Sequence, residues 1–511
     1  MLARTLSSAV IGIDAHVIEV EVDIASGLPA FTIVGLPEAA VKESKERVKS
    51  AIVNAGYRFP ADRITVNLAP AHIKKDGTGF DLPIAMGILA ATDLLPRNAL
   101  SRYLMMGELS LDGRIKPVNG ILPMAVAARD MGYRGIVVPP ENGTEAAAVE
   151  GIRVLPAPAL PDVVAYFRGT GMLMPQPYLG GAAVSTPADQ GICFSEVRGQ
   201  EYAKRAMEVA AAGGHNLFMT GPPGSGKSML ARRLSTILPP MDFHEAMETT
   251  KVYSVCGMLP PGVSLLTARP FRAPHHTISD AGLIGGGHNP RPGEVSLAHN
   301  GVLFLDELPE FKRPVLEAMR QPLEDREVTI SRAMTTITYP ASVMLIGASN
   351  PCICGYYGDP RNTCRCTAAQ IRRYQSRLSG PLMDRFDIQI AVPAVDTKDL
   401  MQIGDGELSS AIRDRVVDAR ERQAHRFAGT DVRCNARMDA RHITHFCPLD
   451  DAGSSLLTSA IERLGLSARA YNRILKIART LADLAGTESI TAAHVAEAVQ
   501  YRDRDRSDTP F

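Results

Sequence analysis

The chain carries no net charge: its 511 residues hold 55 Lys+Arg and 55 Asp+Glu. That balance excludes a histone-like or polybasic binder, so any contact with nucleic acid must come from a local patch. No stretch approaches the ~18–20 apolar residues of a membrane span, and no internal repeat is visible. The N-terminal alternation IGIDAHVIEVEV is interrupted by Asp14, Glu19 and Glu21. It reads as a half-buried strand and not as a signal-peptide core. Cysteine is scarce, with eight in all, and four of these fall between positions 352 and 366. Eight are too few for a disulfide scaffold in a chain this long; the cluster favours a metal or reduced thiols, and hence the cytoplasm. What is present is ordinary globular composition, 45% apolar and 22% charged, which excludes whole-chain disorder and leaves room for about three domains.

Residues 1–168 alternate short strand and helix patterns and read as one α/β domain. ITVNLAP (64–70) and GIVVPP are strands; LPIAMGILAATDLL (82–95) and ILPMAVAARDMG are helices. Residues 169–190 turn to Gly, Pro, Ala and Ser and read as a linker. Strand–helix alternation returns over 191–395, which predicts a mostly parallel sheet with crossover helices. From 396 to 511 helical patterns dominate, with Ser467 capping one helix and Thr491 with Glu497 another. The tail from Tyr501 is charged and is expected to fray.

Gly221-Pro222-Pro223-Gly224-Ser225-Gly226-Lys227-Ser228 satisfies GxxxxGK[ST] at every fixed position, between a strand pattern HNLFMT and a helix pattern SMLARRLSTIL. Glycines let backbone N–H groups close around phosphates at a helix N-terminus. Lys227 then offers a cation to the γ-phosphate of ATP, and Ser228 a hydroxyl to Mg²⁺. The strand GVLFL ends in Asp306 and Glu307. Carboxylates at the carboxyl edge of such a sheet suit a Mg²⁺ shell (Asp306) and the activation of water (Glu307).

With FSEVRGQEYAKRAMEVAAAGGHNLFMTGPPGSGKS, PFRAPHHTIS, PRPGEVSLAHNGVLFLDELPEF, NPCICGYYGD and QIRRYQSRLSGPLMDRFDI, the chain resembles the AAA+ ATPases. More narrowly it resembles their magnesium-chelatase-like branch and, within it, the bacterial YifB/ComM family. The resemblance implies an αβα P-loop core with a C-terminal helical lid. It makes Asn350 the sensor-1 residue, against a plain turn Asn before Pro351. It makes Arg385 an arginine finger completing a neighbour's site, against a salt bridge to Asp384 or Asp387. Arg469 matches sensor 2, against a basic stripe with Arg473 and Lys476. Asp306 lies 79 positions after Lys227, which fits the helix-2 insertion of this clade. Residues 325–340 read as a hairpin turning near Arg332–Met334. Such hairpins line the channel of related ring motors, where Arg332 and Arg291 would touch DNA phosphates or else be exposed loop arginines.

Cys352, Cys354, Cys364 and Cys366 form C-x-C-x9-C-x-C around a turn-rich loop. Four thiolates suit tetrahedral Zn²⁺, although a C-x-C pair is tighter than the usual knuckle; reduced cysteines are the other reading. Arg361 to Gly380 holds five arginines and no acid, with Tyr374 among them, a basic patch suited to phosphates. Further upstream, HIKKDGTGFDLPIAMGIL and GELSLDGRIKPVNGILPMAVAARDMGYRGIVVPPEN resemble the proteolytic domain of Lon, a ribosomal S5 domain 2-like α/β fold. Lon needs a serine and a lysine together. Here Gly79 stands at the serine position and Leu122 at the lysine position; Thr78 is one place off, and Lys74 and Lys75 precede the loop.

These readings converge on a cytoplasmic, ring-forming AAA+ ATPase, expected as a hexamer. It would act as a DNA helicase or branch-migration motor on single-stranded or branched DNA, alongside recombination proteins in natural transformation. The rival classes are a chelatase motor for metal insertion into a porphyrin, a protein-remodelling ATPase and a non-motor regulatory ATPase.

Overall fold

In the computed structural model the N-terminal alternation forms a half-buried strand, Asp14–Ala25, and a further strand precedes it. Gly12, at φ 66°, turns Leu2–Ile11 back against Asp14–Ala25 in antiparallel register. The structure describes residues 1–180, 191–287, 290–332, 335–395 and 406–502. The chain divides into two units, Met1–Thr186 with Asp242–Thr267, and Pro187–Met241 with Ala268–Phe511.

In the first unit seven strands form one sheet in the order Ala30–Val34, Arg63–Ala69, Asp14–Ala25, Leu2–Ile11, Tyr103–Met105, Gly135–Val138 and Arg153–Pro156. The helix Asp81–Ala91 is apolar on every side and buried along its whole length. Burial of each such Leu or Ile contributes about 1.5–3 kcal/mol. Its one carboxylate, Asp81, is held by Arg47 at 2.7 and 3.0 Å and by the Leu109 N–H at 3.2 Å. Over the core that contains Ile121, Leu122 and Met124 lies the helix Phe243–Cys256, which the sequence assigned to the ATPase. Met247 and Leu265 pack into that core, and Ser254 donates to buried Glu145 at 2.5 Å. These contacts explain why residues 242–267 belong to this unit. The expected linker also starts late: Leu173 is buried, and Gln176 N donates to Val154 O at 3.0 Å. Its remainder, 181–190, lies outside the described residues.

In the second unit five parallel strands run in the order Phe271–Arg272, Val302–Leu305, Met344–Ser349, Leu217–Thr220 and Ile388–Ala391. The sheet and the C-terminal helices share one core: Leu217, Leu230, Ile346 and Ile388 pack with Ile412, Val416, Ile474 and Leu481. The C-terminal helices, expected as a lid over 396–511, belong to the same unit as the sheet. Ser467 caps Ala468–Leu484 by accepting from Ala470 N at 3.3 Å. At the last helix His494, not Glu497, faces the cap, accepting from Thr491 N at 3.2 Å. Glu497 pairs with Arg205 and Tyr501, each at 3.0 Å. Of the tail expected to fray, residues 503–511 lie outside the described residues. Tyr501 and Arg502 are buried, and Arg502 donates to Phe386 O at 3.0 Å.

Candidate active site

A parallel sheet places the ends of its strands on common edges. The carboxyl ends of Leu217–Thr220, Val302–Leu305 and Met344–Ser349 therefore bring Gly221–Ser228, Asp306–Glu307 and Asn350 together. Gly224 and Gly226 sit at φ 75° and 87°, which glycine adopts without strain. A side chain on Gly221 would meet Val392 O at 2.1 Å. Gln200, which the sequence reading passed over, braces the loop by donating to Ser225 O at 2.7 Å and Pro393 O at 3.2 Å.

Lys227 is buried, and its ammonium donates to Gly221 O (2.7 Å), Pro222 O (2.9 Å) and Asn350 Oδ1 (3.3 Å). Burial lowers its pKa to about 8 against the opposing pull of Asp306 and Glu307. A polyphosphate beside it favours the charged form, so the nucleotide-bound pKa is higher than the free one. Affinity is then full below about pH 8 and falls as pH rises through that value, by up to about tenfold per unit. Calorimetry of a non-hydrolysable ATP analogue in two buffers of different ionisation enthalpy should show proton uptake at pH 9 and little at pH 7. Equal uptake at both would remove this linkage.

Ser228 Oγ donates to Asp306 Oδ2 at 2.5 Å. An all-oxygen hydroxyl–carboxylate pair beside a glycine loop fits Mg²⁺, a hard cation. Glu307 stands at φ 50°, a left-handed backbone that costs a non-glycine residue about 1 kcal/mol or more. Its Oε2 lies 3.5 Å from His276 Nδ1. His276 belongs to the PHHTIS motif, to which the sequence reading gave no role.

Two of the arginines sit elsewhere. Asn216, just before the strand Leu217–Thr220, donates to Arg385 O at 2.8 Å, and its own carbonyl accepts from Asp387 N and Ile388 N. Arg385 is therefore at the amino edge, about 15 Å along the strand from the phosphate loop. Its guanidinium pairs with Glu324, not with Asp384 or Asp387. Those aspartates face Arg473, at 3.8 and 3.4 Å. Arg469, two-thirds exposed, lies 3.9 Å from Asp384. Both Arg385 and Arg469 thus flank the amino edge, and neither joins Lys227 in its own chain. Arg473 and Lys476 do not form a solvated stripe with Arg469: Lys476 donates to Ala436 O at 2.9 Å.

The hairpin expected over 325–340 is present, Glu327–Arg332 against Thr335–Pro340; its turn at 333–334 lies outside the described residues. Arg332 and Arg291 are exposed. Arg291 pairs across a strand with Gly286, and a side chain on Gly286 would lie 3.5 Å from Arg332 Nη2. The two arginines therefore occupy neighbouring segments. In the basic patch, Arg361, Arg365, Arg372 and Arg373 are exposed. Tyr374 is buried, so it offers no stacking face, and Arg377 pairs with Glu310 at 2.8 Å.

The four cysteines converge. Their Sγ atoms all lie within 4.8 Å of one another, with separations of 3.3, 3.8 and 3.6 Å among Cys352, Cys354 and Cys364. A tetrahedron of ~2.3 Å Zn–S bonds has edges of about 3.8 Å. The C-x-C spacing is therefore no obstacle, and four sulfurs suit Zn²⁺. In the first unit, at the positions compared with Lon, Met106 fills the space beside Gly79, where a side chain would meet it at 2.8 Å. Leu122 is fully buried, and buried Lys75 donates to Pro70 O.

Three family models match in sequence along the chain: subunit ChlI of Mg-chelatase over residues 20–142, magnesium chelatase subunit ChlI over 193–400, and the ChlI C-terminal region over 406–502. The chain is 45% identical to the competence protein ComM of Haemophilus influenzae over 503 residues, 98% of this chain and 97% of that protein. It is 44% identical to the YifB protein of Escherichia coli over 500 residues, covering 98% and 96%. Lon protease 2 of Bacillus subtilis is 28% identical over 162 residues, 29% of each chain.

Proposed function

Because the chain belongs to the magnesium-chelatase-like AAA+ family of ComM and YifB, we propose that it is a ring-forming ATPase, a hexamer, that drives helicase or branch-migration work on DNA. The observation that carries this reading is the split of the catalytic set between two edges of one sheet. Lys227, Ser228, Asp306, Glu307 and Asn350 share the carboxyl edge; Arg385 and Arg469 share the amino edge. A neighbour's amino edge docked on the carboxyl edge completes the set, and repetition of that head-to-tail contact closes a ring. Arg385 Nε is buried without a hydrogen-bond partner among the described residues, which suits a group that gains partners on assembly.

Within the completed site Lys227 exchanges the carbonyls of its loop for phosphate oxygens. Asn350 orients the attacking water, and Glu307 takes its proton. Ser228 and Asp306 would hold Mg²⁺, which when bound neutralises charge on the phosphate oxygens. Arg385 and Arg469 from the neighbour meet the charge that develops on the transferred group.

DNA as the substrate is supported by the exposed Arg291 and Arg332 on adjoining segments and by the competence role named for the Haemophilus relative. Integration of incoming DNA by recombination, with recombination proteins as partners in the cytoplasm, is the corresponding task. DNA binding should weaken with salt as phosphate contacts release counterions. Arg332→Ala should lower fork unwinding and four-way-junction migration more than basal ATP hydrolysis. Robust ATPase with no DNA binding at low salt, and no displacement of either substrate, would overturn the DNA motor and leave the chelatase or remodelling class.

A further inference from the structure

The cysteine loop does not stand apart from the nucleotide. Asn350, whose Oδ1 is 3.3 Å from Lys227 Nζ, is two residues before Cys352. Gly355, one residue after Cys354 and at φ 86°, packs closely against Pro223 of the phosphate loop. A Cβ at position 355 would stand 2.5 and 2.6 Å from Pro223 Cδ and Cγ, so only glycine permits this approach. Gly355 N donates to Cys352 O at 3.0 Å, and Gln375 Nε2 donates to Pro351 O at 3.3 Å. One short segment therefore touches the phosphate loop at Pro223 and the phosphate-binding lysine through Asn350.

The rest of that segment is held by polar contacts and little apolar packing: Arg361 donates to Val395 O at 2.8 Å, and Asp359 accepts from Arg361 N and Asn362 Nδ2, each at 2.9 Å. Between Cys352 and Cys366 the side chains are exposed or half-buried, Ile353 at 59%; Cys352 and Gly355 are the buried positions. Fixing some fifteen residues costs about 1–2 kcal/mol each in backbone entropy, and so small a core does not repay it. Four converged sulfurs supply what the core lacks, since a structural Zn²⁺ contributes its binding free energy to folding its site.

We propose that Zn²⁺ held by Cys352, Cys354, Cys364 and Cys366 is thermodynamically coupled to nucleotide binding, through the seating of Gly355 on Pro223 and of Asn350 on Lys227. Zinc sets the wall of the phosphate loop, and the nucleotide, by pressing on that wall, tightens zinc. The coupling is reciprocal, so each ligand strengthens the other by the same factor, about 5–150-fold for couplings of usual size. The proposal rests on the ATP-binding part of the function above and not on DNA.

The test uses the full chain purified reduced and untagged. Elemental analysis should give about one zinc per chain. A zinc-selective chelator then strips the metal, and Mg²⁺ is restored by dialysis. The Kd of a fluorescent non-hydrolysable ATP analogue should weaken fivefold or more on stripping and return when zinc is added back. In competition with a chromogenic chelator, zinc affinity should rise by the same factor when the analogue is bound. Gly355→Ala, which displaces Pro223 while sparing every sulfur, should keep zinc, weaken the analogue and shrink the coupling. Absence of zinc in the purified protein would overturn the proposal, as would zinc whose removal leaves analogue affinity unchanged. An analogue that never binds, with or without zinc, would count instead against the ATPase reading itself.

Discussion

Glu307→Gln is expected to bind ATP as tightly as the parent and to hydrolyse it about 10²–10⁴ times more slowly, whereas Lys227→Ala loses binding itself. The two residues share one edge of the sheet but act at different stages. Lys227 is buried against the phosphate loop, where its cation meets phosphate in the ground state. Without it the loop keeps its N–H groups and loses the charge that balances the γ-phosphate. Glu307 is half-exposed beyond the strand end, beside His276, and in the proposed role it acts on water and not on phosphate. An effect confined to turnover marks an interaction made in the transition state. Equilibrium binding of a fluorescent analogue beside steady-state phosphate release separates the cases; equal loss of binding in both variants would remove the assignment.

Arg385→Ala is expected to bind nucleotide normally and to lose turnover by about 10³–10⁵-fold, the range for an arginine supplied to a phosphoryl transfer. Its effect cannot arise in its own chain's site, because Asn216 holds the Arg385 backbone at the opposite edge of the sheet. Loss of its pair with Glu324 adds little, since Glu324 is half-exposed and can be hydrated. Mixing Arg385→Ala with Glu307→Gln subunits should restore part of the activity, because some interfaces then join an intact finger to an intact glutamate. No recovery, with mixing confirmed by subunit exchange, would place Arg385 in a structural role.

How much of this was legible beforehand differs from segment to segment. The phosphate loop was readable because its residues are dictated locally: Gly224 and Gly226 adopt left-handed backbone, whereas the crowding of Gly221 by Val392 O is a tertiary contact. Asp306, Glu307 and Asn350 were readable because each ends an apolar strand. The partner of Arg385 was not. Asp384 and Asp387 are its nearest acids in sequence, yet they turn toward Arg469 and Arg473, and the carboxylate that meets Arg385 is 61 positions away. Likewise the helix Phe243–Cys256 sits in sequence inside the ATPase, and only the packing of Met247 on the core of Leu122 and Met124 and the bond from Ser254 to Glu145 show which core it joins.

The chemistry available at each point of the chain is written in its residues: which of them can cradle phosphate, ligate a metal or bend without strain. Those properties belong to single residues and their immediate neighbours. Which of these points meet is a matter of the folded chain. It set the two arginines on the edge away from Lys227, drew four sulfurs within 4.8 Å across a C-x-C spacing that looked too tight, and laid Gly355 on Pro223. Those juxtapositions depend on strand order and helix packing between residues tens to hundreds of positions apart, and no local pattern of side chains encodes them.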